Sequence, residues 1–258
     1  HPSRLVRNLA IGHDGTLWCG TDKGPVYLEN GAFKPAGLGL SGFSVPAILV
    51  DHTNRLWVGN RKGIHYKDRD SDRFVTFRHP RITPRGVRCL METGNRRLWF
   101  GMYRNIICID PETLDLKAVV PLENLSPPIK SIAEGKDGTI WAGTGNGLLA
   151  LEQTPGGLRK RIFLKKNGLL LNDVRSVLAD REGTLWIGGF GGLAIFKGRT
   201  FSVYTTAEGL ESNVVRPVIR DSKGVLWAGT ERGLSFLNEE TGKFHTYTIE
   251  DGLENFYI

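Results

Sequence analysis

The amino-acid sequence predicts an all-β protein, a β-propeller of four-stranded antiparallel blades, and three observations lead to that prediction. A phrase with one tryptophan recurs six times, at intervals of 39, 42, 42, 45 and 41 residues. Each period holds four short runs of strand-like composition, and glycines stand at fixed distances from every tryptophan. Self-similarity at a period of about 20–50 residues indicates a repeat architecture. The tryptophans are Trp18, Trp57, Trp99, Trp141, Trp186 and Trp227.

The fifth repeat shows how one period predicts four strands. Residues 174–180, 184–189 and 193–198 are largely apolar, 200–206 alternates polar and apolar residues, and glycine-containing turns separate the runs. Continuous apolar runs indicate strands that are buried on both faces. No segment keeps an apolar period of about 3.6 residues for long enough to predict a helix. Small sheets of this kind, repeated along a chain, are typical of blades stacked around an axis.

The six repeats account for essentially all 258 residues, so we expect one β-propeller domain that spans 1–258. The predicted blades are approximately 5–44, 45–86, 87–128, 129–173, 174–213 and 214–253, and 254–258 resembles the start of a further repeat. Two arrangements stay open. The chain forms a complete six-bladed ring, or its six blades belong to a larger propeller in a longer protein.

Two glycine series predict where the backbone needs special freedom. The second residue after each tryptophan is always glycine, which permits a bend or a close approach. The sixth residue is glycine in five repeats and Asn105 in the third, which predicts a left-handed turn between strands two and three. Pairs such as Asp14-Gly15 and Glu182-Gly183 predict tight hairpins between strands one and two. We expect each tryptophan to fill the space between neighbouring blades.

The charge of the chain is positive and uneven. Lys and Arg number 34 against 27 Asp and Glu, a net charge of +7, which fits simple solubility and also permits an anionic partner. Residues 55–104 hold 13 Lys or Arg and four acids, which predicts a basic sector on the second and third repeats. The arginines are not interleaved with aromatic residues in a nucleic-acid-binding motif, so we expect no nucleic-acid partner. No apolar run approaches the roughly 20 residues that span a bilayer, and we expect no direct membrane contact by these residues.

Motifs for catalysis or metal binding are missing from the sequence. The six histidines occupy no shared repeat position and show no metal-ligand spacing. The chain has neither a Gly-x-Ser-x-Gly elbow nor a Walker loop. The three cysteines lie within apolar runs, which indicates buried free thiols. We therefore expect no catalytic residues, no metal and no cofactor.

The repeat resembles the two-component-regulator propeller repeat, whose pattern includes Gly-Leu, Asn, Val-Arg, Asp, Gly, Leu-Trp-x-Gly-Thr, Gly-Leu and Phe-x-x-Tyr. The sixth copy, 208–253, carries this pattern, and the fourth matches it at 140–144 and 147–148. Copies one to three are looser, and Asn105-Ile106 replaces Gly-Leu in the third. The fifth copy matches at Gly168, Leu169, Asn172, Val174, Arg175, Asp180, Gly183, Leu185, Trp186, Ile187, Gly188, Gly192, Leu193, Phe201 and Tyr204.

The resemblance implies a function. In that family the propeller is a periplasmic sensor of bacterial hybrid two-component systems, and it binds an extracellular ligand that is often an oligosaccharide. The resemblance therefore implies a non-enzymatic, ligand-binding sensor, a periplasmic location, a small-molecule or oligosaccharide ligand and a homodimer formed through the full-length sensor. Family members usually carry seven-bladed propellers, which favours a piece of a longer protein.

Propeller ligands bind at the end where strand two turns into strand three and where strand four leads into the next strand one. Basic residues stand eleven positions before five of the six tryptophans, and others lie in the turns. In a closed ring these side chains would surround the channel mouth and suit a carboxylated or sulfated ligand. The candidate ligand-binding residues are Arg7, Arg88, Lys130, Arg175, Arg216, Lys23, Arg61, Lys62, Tyr103, Arg104 and Arg232.

Three alternatives stay open. The basic residues eleven positions before the tryptophans could instead pair with carboxylates such as Asp51, Asp180 or Asp221, six residues before a tryptophan. The propeller could be a protein-interaction scaffold that uses the basic sector. It could also be a six-bladed propeller lyase or hydrolase, which would need a histidine and an acid at one channel mouth.

Overall fold

A computed structural model describes residues 5–83 and 86–253, which leaves the predicted further repeat at 254–258 outside the described residues. The chain divides into two compact units, His1–Glu123 and Asn124–Ile258. Each unit holds three four-stranded antiparallel sheets whose strands pair in chain order. The predicted fold class is confirmed, since all six repeats form β-propeller blades.

The first unit contains blades 1 to 3. Blade 1 consists of β1 (Val6–Ile11), β2 (Leu17–Thr21), β3 (Gly24–Glu29) and β4 (Ala32–Pro35). Blade 2 consists of β5 (Ala47–Val50), β6 (Leu56–Asn60), β7 (Gly63–Lys67) and β8 (Val75–Thr76). Blade 3 consists of β9 (Val87–Glu92), β10 (Leu98–Met102), β11 (Asn105–Ile109) and β12 (Leu116–Pro121).

The second unit contains blades 4 to 6. Blade 4 consists of β13 (Ser131–Glu134), β14 (Ile140–Gly143), β15 (Gly147–Thr154) and β16 (Gly157–Leu164). Blade 5 consists of β17 (Asn172–Ala179), β18 (Leu185–Phe190), β19 (Gly192–Lys197) and β20 (Thr200–Tyr204). Blade 6 consists of β21 (Val215–Arg220), β22 (Leu226–Thr230), β23 (Gly233–Asn238) and β24 (Lys243–Tyr247). Helical turns in this unit are single 3₁₀ turns at Lys165–Asn167, Thr206–Glu208 and Ile249–Asp251.

Tryptophans pack between blades, as the sequence predicts. Trp57 of β6 is fully buried and meets Phe100 of blade 3 edge to face, with ring centroids 5.6 Å apart. Trp141 of blade 4 contacts Phe196 of blade 5 at 5.5 Å. Trp186 belongs to a buried cluster with residues of blade 6. Each ring therefore covers apolar area that a single small sheet would leave exposed.

The glycine two residues after the tryptophan allows the next blade to approach. A Cβ atom on Gly59 would lie 2.4 Å from a methyl group of Val87, and one on Gly143 would lie 2.6 Å from a methyl group of Val174. Val87 and Val174 belong to the first strands of the following blades. The predicted close approach is confirmed at these positions.

The second glycine series follows the prediction only in part. Gly24, Gly63, Gly192 and Gly233 have positive φ values of 135°, 129°, 119° and 148°. The prediction of a left-handed residue is wrong for Asn105, which pairs with Pro121 as an ordinary strand residue of β11 and does not have a positive φ.

Gly147 also lacks a positive φ, so the left-handed prediction is wrong there too. Close packing requires glycine at this position, because a Cβ atom would lie 2.7 Å from the carbonyl oxygen of Phe163 and 3.0 Å from a methyl group of Leu125. Glycine at this repeat position therefore meets two different requirements, a positive φ in four blades and close packing in blade 4.

Hairpins between strands one and two are tight, as predicted. Gly15 and Gly183 have φ values of 82° and 89°, and the Gly15 N–H donates to the Gly12 carbonyl at 2.9 Å. Asn54 and Arg96 take the equivalent left-handed position in blades 2 and 3, with φ values of 65° and 60°. Asparagine tolerates this region better than most side chains.

Gly-Leu pairs of the repeat end the 3₁₀ turns between blades. Gly209 adopts a φ of 98° and ends the turn that the Thr205 side chain caps. Leu210, the next residue, is 3% exposed in the core shared by blades 5 and 6. The pair thus stops the helical turn and anchors the connector.

Burial on both faces does not extend to every first strand. Leu9 and Ile11 of β1 are 57% and 69% exposed, although the sequence pattern predicts a buried strand. One side of β1 packs on blade 2, where the Asn8 side-chain amide donates to the Pro46 carbonyl at 3.4 Å. Within the described part of this unit, no further sheet covers the other side.

Candidate ligand-binding site

Basic side chains collect at one end of the blades in the first unit. In a four-stranded meander, the turn after the second strand and the connection after the fourth strand lie at the same end of the sheet. Lys23 lies in the β2–β3 turn, Arg61 and Lys62 lie in the β6–β7 turn, and Tyr103 and Arg104 lie in the β10–β11 turn. Arg7 and Arg88 lie near the starts of β1 and β9, which also begin at this end.

Side chains in the strands hold these turns in place. The Lys62 N–H donates to Oδ1 of Asn60 at 2.7 Å, and the Lys23 N–H donates to the Thr21 hydroxyl at 3.1 Å. Thr230 plays the same part for Arg232 in blade 6, also at 3.1 Å. The backbone is therefore fixed while the three basic side chains remain exposed.

Three of the four candidate cations of the second unit are paired with carboxylates. Lys130 and Arg175 share Asp173, whose Oδ2 accepts from Nε of Arg175 at 3.1 Å. Arg216 pairs with Glu231 at 2.6 Å. Because each of these positive charges faces a protein carboxylate, this part of the series has less capacity to attract an anion.

The partners differ from the carboxylates that the sequence suggests. Asp180 accepts hydrogen bonds from the Trp186 indole and the Thr184 N–H at 2.9 and 2.7 Å. Its arginine contact is with Arg220, at 3.5 Å, and not with Arg175. Pairing is therefore observed in this unit, but through Asp173 and Glu231.

Five of the candidate cations of the first unit lack such neutralisation. Across residues 5–83 and 86–253, no carboxylate lies within 4 Å of the charged groups of Arg7, Arg61, Lys62, Arg88 or Arg104. All five side chains are exposed. Four of them, Arg61, Lys62, Arg88 and Arg104, belong to the predicted basic sector of repeats two and three.

A cavity of about 890 Å³ opens beside the β6–β7 turn, where Arg61 and Lys62 line it. Phe77, Arg78 and His79 line it from the connection between blades 2 and 3. The repeat pattern does not predict these three residues, because the connection has no equivalent in other repeats. The density of basic residues between 55 and 104 was the signal that pointed to the region.

At the opposite end of the same blades, a histidine meets two acids. His52, in the β5–β6 turn, is bonded through Nδ1 to Glu92, and its Nε2 lies 3.2 Å from Oε1 of Glu112. Burial opposes protonation of His52, but the hydrogen bonds to Glu92 and Glu112 outweigh it and raise the pKa of the imidazole above 6.5. These contacts join blades 2 and 3 away from the basic end.

Thiol, metal and membrane sites gain no support from the described residues. Cys19, Cys89 and Cys108 are free, and burial raises the pKa of Cys89 and of Cys108 to about 12, which leaves both thiols protonated. Between residues 5 and 253, outside the gap at 84–85, no group of three histidine, cysteine or acidic side chains could hold a metal ion. The helical segments in that part of the chain are too short to cross a membrane.

Comparison with known proteins identifies the repeats. The blades define the chain as a β-propeller. A family model described as two component regulator propeller matches residues 125–146 and 168–191, which include Trp141 and Trp186. These matches confirm the resemblance to the two-component-regulator propeller repeat in the fourth and fifth copies. A search of curated proteins gave no match.

Solved structures of similar fold include extracellular domains of bacterial signalling proteins. The extracellular domain of a hybrid two-component system from B. thetaiotaomicron aligns with a TM-score of 0.79 and 26% identity, over 98% of this chain and 35% of the other. A second extracellular domain from B. thetaiotaomicron, described as part of a one component system, aligns with a TM-score of 0.60 and 20% identity, over 94% of this chain and 41% of the other. This chain thus spans about a third to two fifths of those proteins.

A propeller enzyme shares the fold. Streptogramin B lyase aligns with a TM-score of 0.77 over 96% of this chain and 84% of the other, at 13% identity. Similarity at that level of identity shows the architecture and carries no information on catalysis.

Proposed function

We propose that this chain is the ligand-binding part of an extracellular or periplasmic sensor in a two-component signalling protein, and that its ligand is an anionic oligosaccharide. The similarity to extracellular propeller domains supports the sensor role. The anionic preference has a separate basis in the charges of the first unit.

A single observation carries the ligand class: five candidate cations of the first unit have no carboxylate partner among the described residues, while Lys130, Arg175 and Arg216 of the second unit do. The five are Arg7, Arg61, Lys62, Arg88 and Arg104. Unpaired guanidinium and ammonium groups at the loop end attract carboxylates and sulfates, and guanidinium binds them with two parallel hydrogen bonds. Ligand binding at that end without bond cleavage is what a sensor requires.

Thermal unfolding of the 258-residue chain tests the proposal against neutral, uronic-acid and sulfated oligosaccharides. A ligand that binds the native state raises the midpoint as RT ln(1 + [L]/Kd). We expect a rise with charged sugars, which weakens as salt is added. Mass spectrometry of the recovered sugar should show it intact. A chain that no sugar stabilises, or that cleaves the sugar, contradicts the proposed function.

A further inference from the structure

The cavity of blade 2 lies at the loop end but beside the blade's outer strand, since β8 and the following connection form one of its walls. We propose that this cavity, rather than the set of basic residues that begin the first strands, is the site that binds an acidic sugar unit through its carboxylate or sulfate. The inference rests on the proposed function and gives it a location.

Size and shape fit a short saccharide. The cavity volume of about 890 Å³ falls in the range of small-molecule sites. Arg61 and Lys62 line it from the β6–β7 turn, and Phe77 to His79 line it from the connection after β8. The Phe77 N–H donates to the Ile64 carbonyl of β7 at 2.9 Å, which ties the connection to the blade. The start of the connection is thus held against β7.

The charge of this cavity is strongly positive. Its described lining includes the permanent cations Arg61, Lys62 and Arg78, and no aspartate or glutamate. By contrast, a polar depression of about 480 Å³ in the second unit is lined by Glu211 and Glu231 beside Arg232. A cavity lined by cations without carboxylates concentrates a positive field inside low-dielectric walls and selects anions.

Two contacts restrain Lys62. The Nζ atom of Lys62 lies 4.0 Å from the centre of the Phe43 ring, a cation–π contact that limits its movement. The Lys62 backbone is fixed by Asn60, which is fully buried. A cation held in this way loses little conformational entropy when it binds an anion.

Behind the cavity, Asn60 and His65 form a polar floor. Oδ1 of Asn60 accepts from the Lys62 N–H, so the Nε2 of His65, 3.2 Å from the same oxygen, is the donor of that bond. The Nδ1 of His65 then accepts from the Thr76 hydroxyl at 3.1 Å. Nδ2 of Asn60 is buried and has no hydrogen-bond partner in the described chain. A buried donor without a partner gains from an acceptor that a bound ligand or its water supplies.

Electrostatics at His65 agree with a positive cavity. Burial, together with the charges of Lys62 and Arg78, lowers the pKa of His65 below 6.5. The positive charges of Lys62 and Arg78 therefore reach the His65 imidazole, which lines the same cavity. Phe74 and Phe77 add aromatic surface to the lining, on which the apolar face of a sugar ring can pack.

Calorimetric titration of the full chain with trigalacturonate, a sulfated disaccharide and neutral galactotriose tests the site. The variant is Arg61→Ala/Arg78→Ala, whose side chains are both exposed, so the fold should survive. Arg69→Ala is the matched control, because Arg69 is an exposed cation at the opposite end of blade 2. We expect the double variant to weaken binding of one or both charged sugars at least about tenfold, since each charge-assisted hydrogen bond contributes measurably. The control should stay within about twofold.

The outcomes separate the two proposals. Charged sugars that bind the wild type and the double variant equally overturn the cavity site and leave the sensor function standing. Equal losses in the double variant and Arg69→Ala mean that overall charge sets affinity, which also overturns the site. Galactotriose binding as tightly as trigalacturonate overturns the ligand class. No binding by the wild type overturns both proposals.

Discussion

The indole N–H of Trp57 donates to the carboxylate of Asp51 at 2.6 Å, across six residues of chain. The other carboxylate oxygen accepts from the N–H groups of Thr53 and Arg55 at 2.8 and 3.0 Å. One buried side chain therefore closes the β5–β6 turn and orients the ring that packs against blade 3. Asp51 therefore contributes both to the local turn and to the packing between blades 2 and 3.

Replacing Asp51 with alanine should destabilise the chain by about 3 kcal/mol, because several donors, including a buried indole, would lose their acceptor. Urea unfolding followed by tryptophan fluorescence measures the loss. Asp14→Ala is the control, because Asp14 is exposed and accepts one turn N–H, from Thr16 at 3.0 Å. It should cost under about 1 kcal/mol. Equal losses in the two variants would show that Asp51 is no more than a turn residue.

Acid should destabilise the second unit through Asp180. Burial opposes its ionisation, but hydrogen bonds from Trp186 and Thr184 and the charge of Arg220 prevail and lower its pKa below 3.8. Because the folded pKa is depressed, the stabilisation is fully present above pH 3.8 and is lost as pH falls through the lower folded value. Unfolding midpoints measured from pH 7 downward should show wild type losing its advantage over Asp180→Asn in that acid range. If the difference in unfolding midpoint between wild type and Asp180→Asn did not change with pH, the lowered pKa of Asp180 would be contradicted.

Close approach at Gly143 should make it intolerant of even a methyl group. Gly143→Ala should cost about 2 kcal/mol, since its Cβ would lie 2.6 Å from a Val174 methyl group. Gly156→Ala is the control, because Gly156 is exposed, has no atom nearer than 3.9 Å to an added Cβ, and should change stability by under about 0.5 kcal/mol.

A double-mutant cycle identifies the cause. If the clash is with the side chain of Val174, adding Val174→Ala to Gly143→Ala should cost about 1 kcal/mol less than the sum of the single changes. Strict additivity would show that the Val174 side chain is not the cause, and that the Val174 carbonyl oxygen, 3.0 Å from the added Cβ, explains the glycine.

The sequence predicts the blades well because their physical requirements recur. Every blade needs an aromatic ring to cover its neighbour and a small residue where the next first strand approaches, so Trp57 and Gly59 have counterparts throughout the chain. The pattern is weaker where one residue type meets different needs. Gly147 is selected by crowding rather than by backbone conformation.

The candidate site is less predictable, because its chemistry depends on residues outside the repeat pattern. Whether Lys130 and Arg175 are neutralised depends on Asp173, which contacts both of them. Asp173 lies at a β-bulge of β17 and has a φ of 53°. Arg78 and His79 belong to a connection with no counterpart in other blades, so no periodicity identifies them. The repeat pattern therefore predicts the blades, whereas the candidate site includes residues that depart from that pattern.

His52 should act as a pH-dependent contact between blades 2 and 3. Its pKa is raised above 6.5 by Glu92 and Glu112 despite burial, so the stabilisation is fully present below pH 6.5 and is lost as pH rises through the folded value. Titration of the imidazole by NMR should give a pKa above 6.5 in the wild type. Glu92→Gln should lower it markedly, because Glu92 is 19% exposed and also accepts the His52 backbone N–H at 3.0 Å.

Glu112→Gln is the matched comparison for His52. Glu112 is 65% exposed and bonds only the Nε2 side of the ring, so its removal should shift the pKa less than removal of Glu92. Unfolding midpoints should follow the same order, with the decline in stability above pH 6.5 reduced most in Glu92→Gln. If Glu112→Gln had the larger effect, or if the wild-type imidazole titrated below 6.5, the buried Glu92 contact would not be what holds the proton between the two blades.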